Sequence, residues 1–126
     1  MLKKEIISTS KVPTPKAPIS QAVKAGGLIF CSGAVPKDSE TGELVQGDIE
    51  IQTARVLENL KTILEAAGSS LEKVIKVTVF LTDKEDFPGM NKVFQKYFPK
   101  DPPARSCFGV ELFVKAKVEI ELIALS

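Results

Sequence analysis

Val118-Glu119-Ile120-Glu121-Leu122-Ile123-Ala124-Leu125 decides how this chain folds. Its alternation fits a β-strand, in which successive side chains leave opposite faces of a sheet. Val118, Ile120, Leu122 and Ala124 form one apolar face, expected under helices. Glu119 and Glu121 stand together on the other face, followed by Ile123 and Leu125. That second face is polar at one end and apolar at the other. Helices on one side of a sheet cannot reach it, so it asks for a second cover, most simply another copy of the chain.

Upstream, Val74-Ile75-Lys76-Val77-Thr78-Val79-Phe80-Leu81 is the best strand in the chain, rich in β-branched side chains. Its near-continuous apolarity predicts a central strand buried on both faces. A helix is predicted over Ile49 to Ala67, capped by Asp48 and stopped at Gly68, with a stripe of Val56, Leu57, Leu60, Ile63, Leu64 and Ala67. Asp86 is the expected cap of a second helix, with Pro88 in its first turn and Phe87, Met90, Phe94, Tyr97 and Phe98 as its stripe. Ser20–Ala25 and Leu28–Ser32 read as a hairpin turning at Gly26-Gly27. Its outgoing strand places Leu28, Phe30 and Ser32 on one face, and Ile29, Cys31 and Gly33 on the other. Glu5–Ser8 adds a short strand. The order is β, β-hairpin, α, β, α, β, β: an α+β fold with a single sheet and two helices on one face.

Pro102-Pro103-Ala104-Arg105-Ser106-Cys107-Phe108-Gly109-Val110 carries the least expected charge. The prolines exclude helix and start an extended run. Arg105, Cys107 and Gly109 then share one face. Guanidinium is rarely buried unpaired. Two readings stand: an edge-strand arginine at the surface or paired with a carboxylate, or a planar fork of donors aimed at a carboxylate ligand. The glutamate pair on the final strand and the apolar second sheet face together place Arg105 at a seam between copies.

Composition narrows the chemistry. The chain has 126 residues, suited to one domain over residues 1–126, with 44% hydrophobic and 26% charged residues. A net charge of +1 gives no basic stripe, so no nucleic-acid partner is expected. No apolar run reaches the roughly 20 residues that span a membrane. Met1-Leu2-Lys3-Lys4-Glu5-Ile6-Ile7 lacks the apolar core of a secretory signal, so a cytoplasmic setting is expected. Cys31 and Cys107 without any histidine make no usual zinc site, and the absence of histidine removes Ser-His-Asp and Cys-His mechanisms. Any reaction must run on carboxylate, arginine, hydroxyls, backbone and water.

Ser20-Gln21-Ala22-Val23-Lys24, Ser32-Gly33, Thr41-Gly42-Glu43-Leu44-Val45 and Gly47-Asp48-Ile49 open a series of familiar pieces. Gln52-Thr53, Val56 to Lys61, Leu64 to Gly68, Val77 to Leu81, Asp86-Phe87, Met90-Asn91, Tyr97-Phe98, Pro103 to Cys107 and Val118 to Glu121 continue it. In joint order and spacing, over essentially the whole chain, this series closely resembles the RidA family, also called YjgF, of imine/enamine deaminases. The resemblance implies a chorismate-mutase-like fold and a homotrimer whose sheets enclose a barrel, with ligand clefts between subunits. It implies that Arg105 anchors a substrate carboxylate and Glu119 positions or activates water, both catalytic. It further implies that Ser32, Gly33, Cys107, Ile19 and Asn91 line the substrate site. The implied substrates are 2-imino acids and their enamine tautomers, hydrolysed to 2-keto acids and ammonia without metal or organic cofactor. A protonated imine is already electrophilic, so a water held by one carboxylate is enough.

The chain also departs from that pattern. Ile19 stands where the family has a tyrosine, Ala34 where it has a glutamine, and Leu112-Phe113-Val114-Lys115 replaces an Arg-Leu-Pro. Each change makes the neighbourhood more apolar. A deaminase with a more apolar cleft and a non-catalytic trimer that binds a carboxylate or a protein are both open on these residues. Ribonuclease activity, also attached to the family, gains no support from the charge balance. Glu121 is expected in a structural ion pair.

Overall fold

The computed structural model describes residues 3–126; Met1 and Leu2, which begin the stretch read as lacking a secretory signal, lie outside them. Six strands form one sheet: β1 (Glu5–Ile7), β2 (Ala22–Ala25), β3 (Leu28–Ala34), β4 (Val74–Leu81), β5 (Ala104–Gly109) and β6 (Val118–Leu125). Two helices, α1 (Ile49–Ala66) and α2 (Phe87–Tyr97), complete the α+β architecture. The strand order is β1-β2-β3-β6-β4-β5, antiparallel except for the parallel pair β4–β5.

The local signals act as their chemistry requires. Ala25 pairs with Leu28, so Gly26 and Gly27 alone make the hairpin turn, both at positive φ (58° and 80°) where a side chain is disfavoured. The Asp48 carboxylate accepts from the Ile51 N–H at 3.0 Å and starts α1, which ends one residue before the predicted Ala67. Asp86, expected to cap α2, does not: its backbone is already helical and its side chain bonds nothing. Asp83 instead accepts from the Glu85 N–H at 2.9 Å and caps a short 3-10 turn that runs straight into α2. The turn satisfies the donors that a cap would have taken.

Both helices cover one face of the sheet. Ile29, Val77, Val79, Val118, Ile120 and Ala124 are fully buried against Val56, Leu57, Leu60, Leu64 and Met90 in a single core. Tyr97 on α2 donates its hydroxyl to the Glu58 carboxylate of α1 at 2.8 Å, tying the two covering helices together. The prediction for β4 needs correction. It has neighbours on both edges, but only its Val77, Val79 and Leu81 side is buried. Thr78 and Phe80 look out of the open face, and Ile75 lies exposed at an irregularity in the pairing with β6.

A second correction concerns β3. Its pairing with β6 slips between Cys31 and Ala34, where a β-bulge inserts a residue. Alternation therefore fails there. Gly33 does not follow Ile29 and Cys31 into the core; a β-carbon added to it would collide with the Glu119 carboxylate.

Candidate active site

Two clusters of functional groups result, one on each face of the sheet. Val77 is paired with Arg105 and Val79 with Cys107, so Arg105 and Cys107 look toward the helices. Phe80 is paired with Glu119 and Thr78 with Glu121, so the glutamates look out of the open face. The expectation of one seam thus resolves into two half-sites that a single chain keeps apart.

The cation half-site is built by α2 and β5. The Arg105 guanidinium carbon lies 4.8 Å from the centroid of the Phe94 ring and 5.6 Å from that of Phe87. Nη1 approaches the Met90 sulfur at 3.8 Å. Each cation–aromatic contact contributes about 0.5–1 kcal/mol at such half-open positions. No carboxylate neutralises the arginine: the one ion pair among the described residues joins Lys92 to Glu50 at 3.6 Å. Among the described residues Arg105 has no carboxylate partner; it lies on the edge strand β5, as one of the two readings had it, with its charge over an aromatic platform and only the Met90 sulfur within reach of its donors. Asn91 shares with Arg105 a cavity of about 370 Å³ that Phe94, Phe98 and Pro103 also line. Cys107 opens on a neighbouring cavity of about 480 Å³ with Phe87 and Pro88. Burial raises the Cys107 pKa and the nearby Arg105 charge partly offsets it, which makes the thiol a poor nucleophile. Cys31, buried under the helices, is pushed up to about 12.

The carboxylate half-site comes from β3, β6 and the N-terminal arm. Glu119 is half-buried and its pKa is raised, first by burial and then by the charge of Glu121. Glu121 is exposed and joins no ion pair among the described residues, contrary to expectation. Gly33 lies against the Glu119 carboxylate, where any side chain would collide with it. Ser32 donates its hydroxyl to the Ser20 carbonyl, 2.6 Å away, and so anchors the arm. Ile19 is at the surface and lines a cavity with Ser32, Gly33 and Ala34. One half offers a guanidinium, which can bind a carboxylate, and the other a carboxylate with a raised pKa, which can exchange a proton. Among the described residues no cluster of His, Cys, Asp and Glu is placed to hold a metal ion.

Two contributors escaped the sequence reading. Phe87, Met90 and Phe94 were read as the apolar stripe of α2, and Met90 and Phe94 are core, but an arginine in the next strand was the signal that the three also serve as a platform. Asn59 sits at the phase of Val56 and Ile63 on α1, a buried amide inside an apolar stripe.

Residues 9–126 match the sequence profile of the family described as Endoribonuclease L-PSP. The chain belongs to that family, the RidA/YjgF group. It is similar to a RutC family protein of Pyrococcus abyssi, 52% identical over 122 residues that make up 96% of each chain. It is 45% identical over 124 residues to the chloroplastic Reactive Intermediate Deaminase A of Arabidopsis thaliana, covering 98% of this chain and 66% of that protein. TdcF of E. coli, solved with bound serine, superimposes with a TM-score of 0.91 at 40% identity, covering 97% of this chain and 98% of that one.

Proposed function

We propose that this protein hydrolyses 2-imino acids and their enamine tautomers to 2-keto acids and ammonia, in a homotrimer whose clefts join Arg105 of one copy to Glu119 of the next. The observation that carries the proposal is the unpaired Arg105 on its aromatic platform. Its donors match a substrate carboxylate in a bidentate grip. Because Arg105 and Glu119 leave opposite faces of one sheet, a second copy is needed to bring them onto one ligand. The exposed Phe30, Phe108 and Leu125 on the open face favour that packing. The name of the Arabidopsis relative and the serine bound to TdcF support a small amino-acid-derived ligand. Free thiols suit a cytosolic setting, which belongs to the same proposal.

The reaction uses few groups. Arg105 fixes the carboxylate, and the imine carbon comes to lie beside a water held by Glu119 and the Gly33 backbone. The imine reacts in its protonated form: Glu119 takes a proton from the water as the water oxygen bonds to that carbon, giving a neutral carbinolamine. Glu119 returns the proton to nitrogen, takes the hydroxyl proton as the C–N bond breaks, and passes it to the departing ammonia, so the keto acid and ammonium leave and Glu119 is ionised again. Glu119 must be ionised at the start, so kcat/KM rises with pH through an acid limb above the ordinary glutamate value. The test is ammonia release from imines made in place by an amino-acid oxidase. Arg105→Ala is expected to lower kcat/KM about 30-fold or more, the loss of a charged contact in a closed cleft. Equal rates for wild type and variant would sink the proposal.

A second reading has one observation behind it. Ile19 brings no hydroxyl to the carboxylate half-site, so a trimer that binds keto acids without turning imines over is the alternative. Turnover by the wild type excludes it.

A further inference from the structure

Where the N-terminal arm crosses the sheet, Gln21 holds it down. Its Nε2 donates to the carbonyls of Thr9 at 3.1 Å and Pro13 at 3.2 Å, and its Oε1 accepts from the Thr9 N–H at 2.7 Å. Between this arm, β3 and α1 lies a cavity of about 180 Å³. Carbon makes most of its wall, from Val12, Pro13, Ile19, Val35 and Ile63. An engineered apolar cavity of about 150 Å³ takes up benzene, so a side chain of roughly four to six carbons fits here.

Two observations describe the wall of this cavity. Ile19 is 54% exposed, an aliphatic side chain left in water at the cavity wall. Asn59 lines the same cavity at 5% exposure; its Nδ2 donates to the Lys37 carbonyl at 2.9 Å, while its Oδ1 has no partner. An aliphatic side chain cannot donate to that oxygen, so one water satisfies it and leaves most of the volume to carbon. Gly33 links the cavity to the chemistry. It forms part of the cavity wall and also touches the Glu119 carboxylate.

We infer that this cavity receives the side chain of the imino acid whose head lies between Glu119 and Arg105 of a second copy. Branched or extended aliphatic 2-imino acids are then preferred over the alanine-derived one. The inference rests on the deaminase reading above, and a binding measurement separates the two. Calorimetry on the whole protein compares two product keto acids, 4-methyl-2-oxopentanoate and pyruvate. The branched acid is expected to bind at least about tenfold tighter, the usual worth of a filled apolar subsite. Ile19→Ser, at an exposed position that does not threaten folding, is expected to shrink that ratio below about threefold. Ala34→Leu, which fills the cavity from its wall, is expected to do the same. Equal affinities for the two acids, no binding of either, or a ratio that both variants leave untouched overturns the subsite. The expected ratio without imine turnover upholds the subsite and removes the deaminase reading. Turnover with equal affinities removes the subsite alone.

Discussion

The two faces of the sheet are made by the same alternating strands and meet different surroundings. Under the helices, Val79 and Ile120 have no exposed area at all. On the other face Phe30 and Phe108 stay 43% and 53% exposed, with the Phe108 ring stacked on Phe80 at 6.3 Å and Glu119 and Glu121 nearby. The contrast teaches that alternation assigns residues to a face, while only a neighbour makes that face a core. One face owes its burial to the chain itself. The other carries just as clear a pattern with nothing among the described residues to answer it.

The comparison can be attacked at several depths. Leu60→Ala, on the buried side of α1, is expected to cost about 2–5 kcal/mol in denaturant unfolding, as deletions in closed cores do. Ile123→Lys on the open face is expected to abolish assembly in sedimentation. Measured at concentrations too low for assembly, it should cost the chain less than about 1 kcal/mol. A loss matching that of Leu60→Ala would show that the second face is core after all. Tyr97→Phe removes the bond from α2 to Glu58 and is expected to cost about 0.5–1.5 kcal/mol, testing how firmly the two helices act as one cover.

The smallest effect belongs to Glu119. Burial and Glu121 raise its pKa, so the folded chain keeps that proton to higher pH than the unfolded chain does. Between the two values the folded state binds more protons, and the stability contribution of Glu119 falls as pH rises through that window. Glu119→Gln is therefore expected to melt slightly higher than wild type at neutral pH. The gap should close below the ordinary glutamate pKa, and melting curves across that range check it.

Much of this was legible in the residues. The hairpin at Gly26-Gly27, the start of α1 at Asp48 and the inward row of β6 follow from local chemistry that acts over a few residues. What escaped depends on arrangement. Arg105 and Cys107 do share a face, but a strand's own alternation does not say which side its neighbours cover. Only the path of α2 over β5 settles that. Gly33 changed sides because Ser32, Gly33 and Ala34 are too small to advertise a bulge. β4 looked doubly buried because Ile75 and Phe80 are apolar while lying on an uncovered surface. The pairing of Arg105 with its aromatic platform was hidden in a stripe that reads equally well as core.

The parallel pairing of β5 with β4 has a consequence for timing. Phe87, Met90, Asn91, Phe94, Arg105 and Cys107 all fall within one stretch of chain, joined by the loop closures of β4, α2 and β5. The carboxylate half is assembled from residues near Ile19 and Gly33 together with Glu119, across most of the sequence. Closing such a long loop is entropically dearer and slower than closing a short one. As the chain emerges during synthesis, every residue of the cation platform precedes β6, whereas the carboxylate half does not exist until β6 has slotted between β3 and β4. Pulse-labelled hydrogen exchange during refolding should accordingly protect α2 before the amides of β3.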